Sequence, residues 1–142
     1  MSHPETQLRK MLAAKDAHAI EEFVACVAPD ATMWSPSDKA EGRDGFRAWL
    51  QREAGGFPTA KTDVTCVING DDMVAFEAVV TTTNTGPLET PMGTLPATGR
   101  TVTLPYAGVI VFEAGLAKQM RIYFDAMDFM AQLGLLPQPQ SV

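Results

Sequence analysis

The chain has 142 residues and a formal net charge of −6 at pH 7, with an isoelectric point near 4.8. This length suits one domain spanning 1–142, long enough to bury about two thirds of its unfolded surface and too short for a second core. The acidic balance, without any Lys/Arg cluster, argues against nucleic acid as a partner. No run approaches the roughly 18 apolar residues of a membrane span, and the N-terminus lacks a signal-peptide core, so a cytoplasmic protein is expected.

Leu8, Met11 and Leu12 open the chain at helical spacing. Asp16 is placed to cap a second helix carrying Ile20, Phe23, Val24 and Val27 on one stripe, ended by Pro29 and Asp30. Ala31 to Ser35 is a short strand, and the turn cluster Ser35 to Lys39 leads to a third helix with the stripe Phe46, Trp49 and Leu50, closed by Gly55 and Gly56. From Lys61 the period changes to two. Val64, Cys66 and Ile68 alternate with other residues up to a hairpin at Asn69, Gly70 and Asp71, and Met73 to Thr85 returns. Gly86 to Gly99 is aperiodic and Pro-rich, with Met92 and Leu95 positioned as a lid. Arg100 to Glu113 and Leu116 to Ala126 form a second hairpin about Ala114 and Gly115. A short helix follows, with Met127, Met130 and Ala131 on one side, Gly134 as its C′ residue, and a frayed tail after Pro137. Helices first and strands afterwards indicate an α+β fold with an antiparallel sheet.

Several kinds of chemistry lack their residues. There is no Gly-rich phosphate loop after a strand and no metal-ligand spacing of His, Cys and carboxylates, so no metal and no cofactor are expected. Of the two histidines, His3 lies in the N-terminal tail and His18 reads as a surface residue. Cys26 and Cys66 occupy apolar positions and read as buried free thiols.

The segment from Arg121 to Gly134 concentrates the remaining chemistry. On a strand, Arg121, Tyr123 and Asp125 share one face, and Met120, Ile122 and Phe124 the other. A carboxylate enclosed among apolar groups has a raised pKa and serves as a general acid or base. Asp125 has a competing use as the cap of the helix that begins just after it. Tyr123 is placed to hold a bound carbonyl, or to fill the core. Arg121, about 13 Å from Asp125 along an extended strand, reads as a rim residue.

Two stretches, YFDAMDFMAQLGLLP (residues 123–137) and TNTGPLETPMGTLPATGRTVTLP (residues 83–105), resemble segments of the SnoaL-like polyketide cyclase (ester cyclase) family. The resemblance implies a nuclear transport factor 2-like cone: a curved antiparallel or mixed sheet packed against three N-terminal helices, with a short C-terminal helix and an apolar pocket. It implies Asp125 as acid/base, with Asn84 placed either to orient a substrate carbonyl or water or to turn the chain before Gly86. Asn84 stands where many relatives have a histidine, and Gly108 where relatives commonly carry an acidic residue. Both departures weaken the transfer of the family's cyclisation chemistry. The implied pocket wall takes in Trp34, Phe46, Trp49, Phe76, Val80, Thr82, Tyr106 and Arg121. Two functions remain open: cofactor-independent acid/base chemistry on an apolar small molecule (proton abstraction next to a carbonyl, cyclisation or isomerisation), or binding of such a molecule without reaction. The apolar residues on both faces of the long strands further predict a homodimer through the outer sheet face.

Overall fold

The computed structural model describes residues 3–90 and 93–136. Met92 and the tail from Pro137 onward lie outside the described residues. Helix α1 (Pro4–Asp16) starts with Pro at its first position and Glu5 in its first turn, and ends near Lys15, a charge order that suits the helix dipole. It buries Leu8, Met11 and Ala14. A reversal through His18, at φ 57°, leads to the short α2 (Ile20–Ala25).

Asp16 does not cap that helix. It is the last residue of α1, and its carboxylate accepts the amide N–H and the hydroxyl of Thr62 at 2.7 and 2.9 Å. Strand β1 (Val27–Trp34) likewise begins earlier than the sequence predicts. Pro29 and Asp30 stop no helix; they fall in the register break between Val27 and Thr32, where the missing N–H of proline interrupts no ladder bond. β2 (Lys39–Glu41) pairs back on β1, and α3 (Gly42–Gly56) buries Phe46, Trp49 and Leu50.

The remaining strands are β3 (Lys61–Asn69), β4 (Met73–Thr83), a small hairpin of β5 (Leu88–Thr90) and β6 (Gly93–Leu95), β7 (Thr101–Glu113) and β8 (Leu116–Phe124). The small hairpin occupies the stretch read as aperiodic loop, because its three-residue strands are too short to give a periodic signal. Six strands form one sheet in the order β2-β1-β8-β7-β4-β3. All pairs are antiparallel except β1 with β8, which is parallel. This is the expected α+β arrangement, with both long hairpins in place. The short α4 (Ala126–Gln132) closes one end, and Gly134 follows it at φ 75°.

One face of the sheet carries the core. On β4 it presents Val74, Phe76, Ala78 and Thr82, and on β7 Val102, Leu104, Ile110 and Phe112. On β3 a bulge intervenes: Val64 faces Ala78 but Cys66 already faces Glu77, so Thr65 is the extra residue. Beyond it the alternation inverts, turning Val67 toward the core and Cys66 and Ile68 outward. Cys66 is therefore exposed, contrary to expectation, while Cys26 is buried and free as expected. No helix among the described residues is long and apolar enough to cross a membrane.

Candidate functional site

The buried residues separate into a large cluster under α1, α2 and α3 and a smaller one of Phe57, Val102, Leu104 and Leu133 near α4. Between them, on the inner face of the sheet, lies a cavity of about 130 Å³. The strands contribute Phe76, Val80 and Thr82 from β4, Leu104 and Tyr106 from β7, and Ile122 and Phe124 from β8. Trp49 and Glu53 reach it from α3, Lys15 from α1, and Phe129 from α4. Its character is aromatic: Phe57 and Phe129 lie 5.8 Å apart, Phe124 and Phe129 5.8 Å, and Phe76 and Tyr106 5.8 Å edge to face.

Few charges reach the wall. The Lys15 ammonium stands 5.9 Å from the Trp49 ring centroid, within cation–π range. Burial pushes the Tyr106 phenol up to about 12; a hydrogen bond with Thr62 opposes the shift, and the Asp16 and Glu53 carboxylates add to it. Tyr106 is therefore a neutral hydrogen-bonding group at ordinary pH. Asp16, by taking both donors of Thr62, fixes the threonine that faces the phenol. Among the described residues no His, Cys, Asp and Glu cluster could hold a metal ion.

Trp49, Phe76, Val80, Thr82 and Tyr106 were expected at the pocket and line it. The other expected site residues do not. Asp125 is exposed and is the N-cap of α4, its Oδ1 accepting the Asp128 amide at 3.0 Å. Tyr123 is 47% exposed and packs on Trp34, itself 41% exposed, with ring centroids 5.4 Å apart. Arg121 donates to Gln119 at 2.6 Å, beside them on the outer face. The face assignment of β8 is thus the reverse of the expectation. A sheet covered by helices on one side buries its more apolar row, and that row is Met120, Ile122 and Phe124.

Phe46 is buried in the core beneath Phe23 and Trp49 without lining the cavity. Asn84 is fully buried and fully used: its amide group donates to the carbonyls of Gly56 (2.9 Å) and Gly86 (3.1 Å), and its oxygen accepts from the Thr98 amide (2.8 Å). It ties α3 to the segments around the small hairpin and offers nothing to a ligand. Gly108 has a positive function. A side chain there would begin 2.6 Å from the Phe76 ring and 2.9 Å from Ile122, so the space is filled by Phe76 and the wall stays apolar.

The sequence reading missed Lys15, Glu53, Thr62, Phe57, Phe124 and Phe129. Two of these carried a signal: Lys15 continues the stripe of Leu8, Met11 and Leu12, and Glu53 lies one turn beyond Trp49.

The profile of the SnoaL-like domain matches residues 8–120, and the chain belongs to this family. Its fold is shared by solved structures of low identity. A putative polyketide cyclase from Xanthomonas campestris pv. campestris is 21% identical, with 92% of this chain and 96% of that one covered at a TM-score of 0.79. A hypothetical protein of ketosteroid isomerase-like fold from Catenulispora acidiphila DSM 44928, in complex with trimethylamine, is 19% identical, with 97% and 100% covered at 0.77. TerC co-crystallised with polyporic acid is 17% identical, with 94% and 99% covered at 0.74. The fold is accordingly the nuclear transport factor 2-like α+β fold. No curated protein matches the sequence.

Proposed function

We propose that the chain binds an apolar, ring-bearing small molecule in the cavity between the sheet and helices α1, α3 and α4. The observation that carries this reading is the wall itself: aromatic and aliphatic side chains from every layer converge there, and only a few polar groups interrupt them. Small organic ligands in two solved structures of the same fold are in keeping with it. The two tryptophans supply a test, since Trp49 lines the cavity and Trp34 lies on the outer face. In a Trp34→Phe variant, 2-methylnaphthalene or 2-naphthol should change Trp49 emission saturably, and Val80→Trp, which fills the cavity, should remove their binding in a calorimetric titration. Binding that survives Val80→Trp, or no saturable change at all, would defeat the reading.

One observation favours chemistry on the bound molecule. Glu53 is the carboxylate on the cavity wall, close enough for its charge to raise Tyr106, whose phenol keeps its proton. In this reading Glu53 takes a proton from a carbon next to a carbonyl. The electron pair moves onto the carbonyl oxygen, the Tyr106 O–H turns from Thr62 to that oxygen and supports the enolate, and the proton returns to carbon. Asp125, outside the cavity, has no part in it. Wild type in deuterium oxide should then catalyse exchange at the α-carbons of 2-tetralone, and Glu53→Gln should slow it by about 100-fold. Exchange no faster than buffer leaves binding alone.

We also propose that two copies associate through the outer face of the sheet, where Trp34, Tyr123, Met73 and Ile68 are exposed.

A further inference from the structure

Three polar residues are buried in the described structure: Ser35, Thr82 and Asn84. Ser35 donates to the Asp38 carbonyl and accepts from the amides of Ser37 and Asp38, and Asn84 is satisfied by the three bonds given above. Thr82 differs: it is 6% exposed, its side chain lines the cavity, and its hydroxyl oxygen has no hydrogen-bond partner among the described residues. A valine there would have the same shape and an equal liking for a strand without the desolvated hydroxyl. An uncompensated buried hydroxyl at a cavity wall is left open to a partner that enters the cavity.

The register fixes its place. Thr82 pairs with Val102, and Tyr106 with Ala78, so Thr82 lies four residues along β4 from the Tyr106 level, about 13 Å away at strand rise. Val102 belongs to the smaller cluster with Phe57 and Leu104, against which Phe124 and Phe129 pack. The hydroxyl is thus at the phenylalanine end of the cavity, and the Tyr106 phenol, already engaged by Thr62, is at the other. A 120° step about χ1 carries the hydroxyl of threonine to the place held by the methyl or by the Cβ hydrogen, so the oxygen can be re-aimed without backbone movement. It can donate to a carbonyl or accept from a hydroxyl.

We infer that Thr82 is the specificity-determining contact of the cavity, selecting flat aromatic or conjugated molecules that carry a carbonyl or hydroxyl oxygen directly on the ring system. The rings of Phe57, Phe124 and Phe129 hold the flat face and edges, and Thr82 binds the ring oxygen. This rests on the cavity being a small-molecule site, and the experiment separates the two claims.

Binding of 2-naphthol and of 2-methylnaphthalene, which puts a methyl where the hydroxyl stands, is measured by calorimetry on wild type, Thr82→Val and Thr82→Ser. Wild type should prefer 2-naphthol by about tenfold. Thr82→Val should lose that preference while binding 2-methylnaphthalene at least as well, and Thr82→Ser should keep it. Retained binding of 2-methylnaphthalene by Thr82→Val certifies an intact cavity. If both probes bind wild type and Thr82→Val leaves their ratio unchanged, the Thr82 inference is overturned and the cavity reading stands. If neither probe binds wild type, the cavity reading falls and the inference with it.

Discussion

Asp125 illustrates how one carboxylate can suit two roles until its surroundings are known. Its hydrogen bond to the Asp128 amide and its exposure make it a helix cap. Asp125→Ala should therefore cost about 1 kcal/mol in a urea melt and Asp125→Asn close to nothing. A large loss of ligand binding in Asp125→Asn with an unchanged melt would contradict that role. Tyr106 gives a pH signature instead. Its phenol is pushed up to about 12 in the folded protein from the ordinary 10. Between those values the unfolded chain has released the proton and the folded chain still holds it. Stability must then fall as pH rises from 10 to 12, by up to about 2–3 kcal/mol. Tyr106→Phe should show a shallower fall over that window in urea midpoints; identical slopes would refute the assignment. Much of the wall was legible: Trp49, Phe76, Val80, Thr82 and Tyr106 follow from apolar periodicity and the family resemblance. Asp125 and Tyr123 were misplaced because β8 has large side chains on both faces, and the sequence does not say which face the helices cover.

Among the elements, the long hairpins were readable because alternation and an Asn-Gly-Asp turn act within a few residues. The bulge at Thr65 was not. Nothing local distinguishes an extra residue from the next one in an alternating strand, yet it sends Cys66 and Ile68 to the opposite face. Asn84 shows a similar limit. Two of its three partners, Gly56 and Thr98, lie 28 and 14 residues away in the chain, so a turn or site residue and a structural tie look alike in sequence. Asn84→Ala leaves those backbone groups unpaired and should lower stability by about 3 kcal/mol, read from the denaturant midpoint. A change below about 0.5 kcal/mol would mean that other groups or water replace the ties.

At the scale of the molecule, the proposed association of two copies concerns the outer sheet face. Tyr123 is 47% and Ile68 66% exposed. If two copies meet there, Tyr123→Glu combined with Ile68→Glu should convert a dimer to a monomer in light scattering at micromolar concentration, with the helical circular dichroism retained. A wild-type monomer mass would dispose of the dimer.

The single parallel pair has a kinetic consequence. β1 joins β8 across most of the chain, Trp34 lying opposite Arg121, whereas β3–β4 and β7–β8 are joined by short turns. Closing so long a loop costs entropy before its contacts give any return, so the hairpins should form first and β1 should dock last, after the barrier. Truncating Met33 in β1 to Ala should then speed unfolding while hardly slowing refolding, and truncating Ile110 in β7 should slow refolding. The strand that completes the sheet would be the first to leave it.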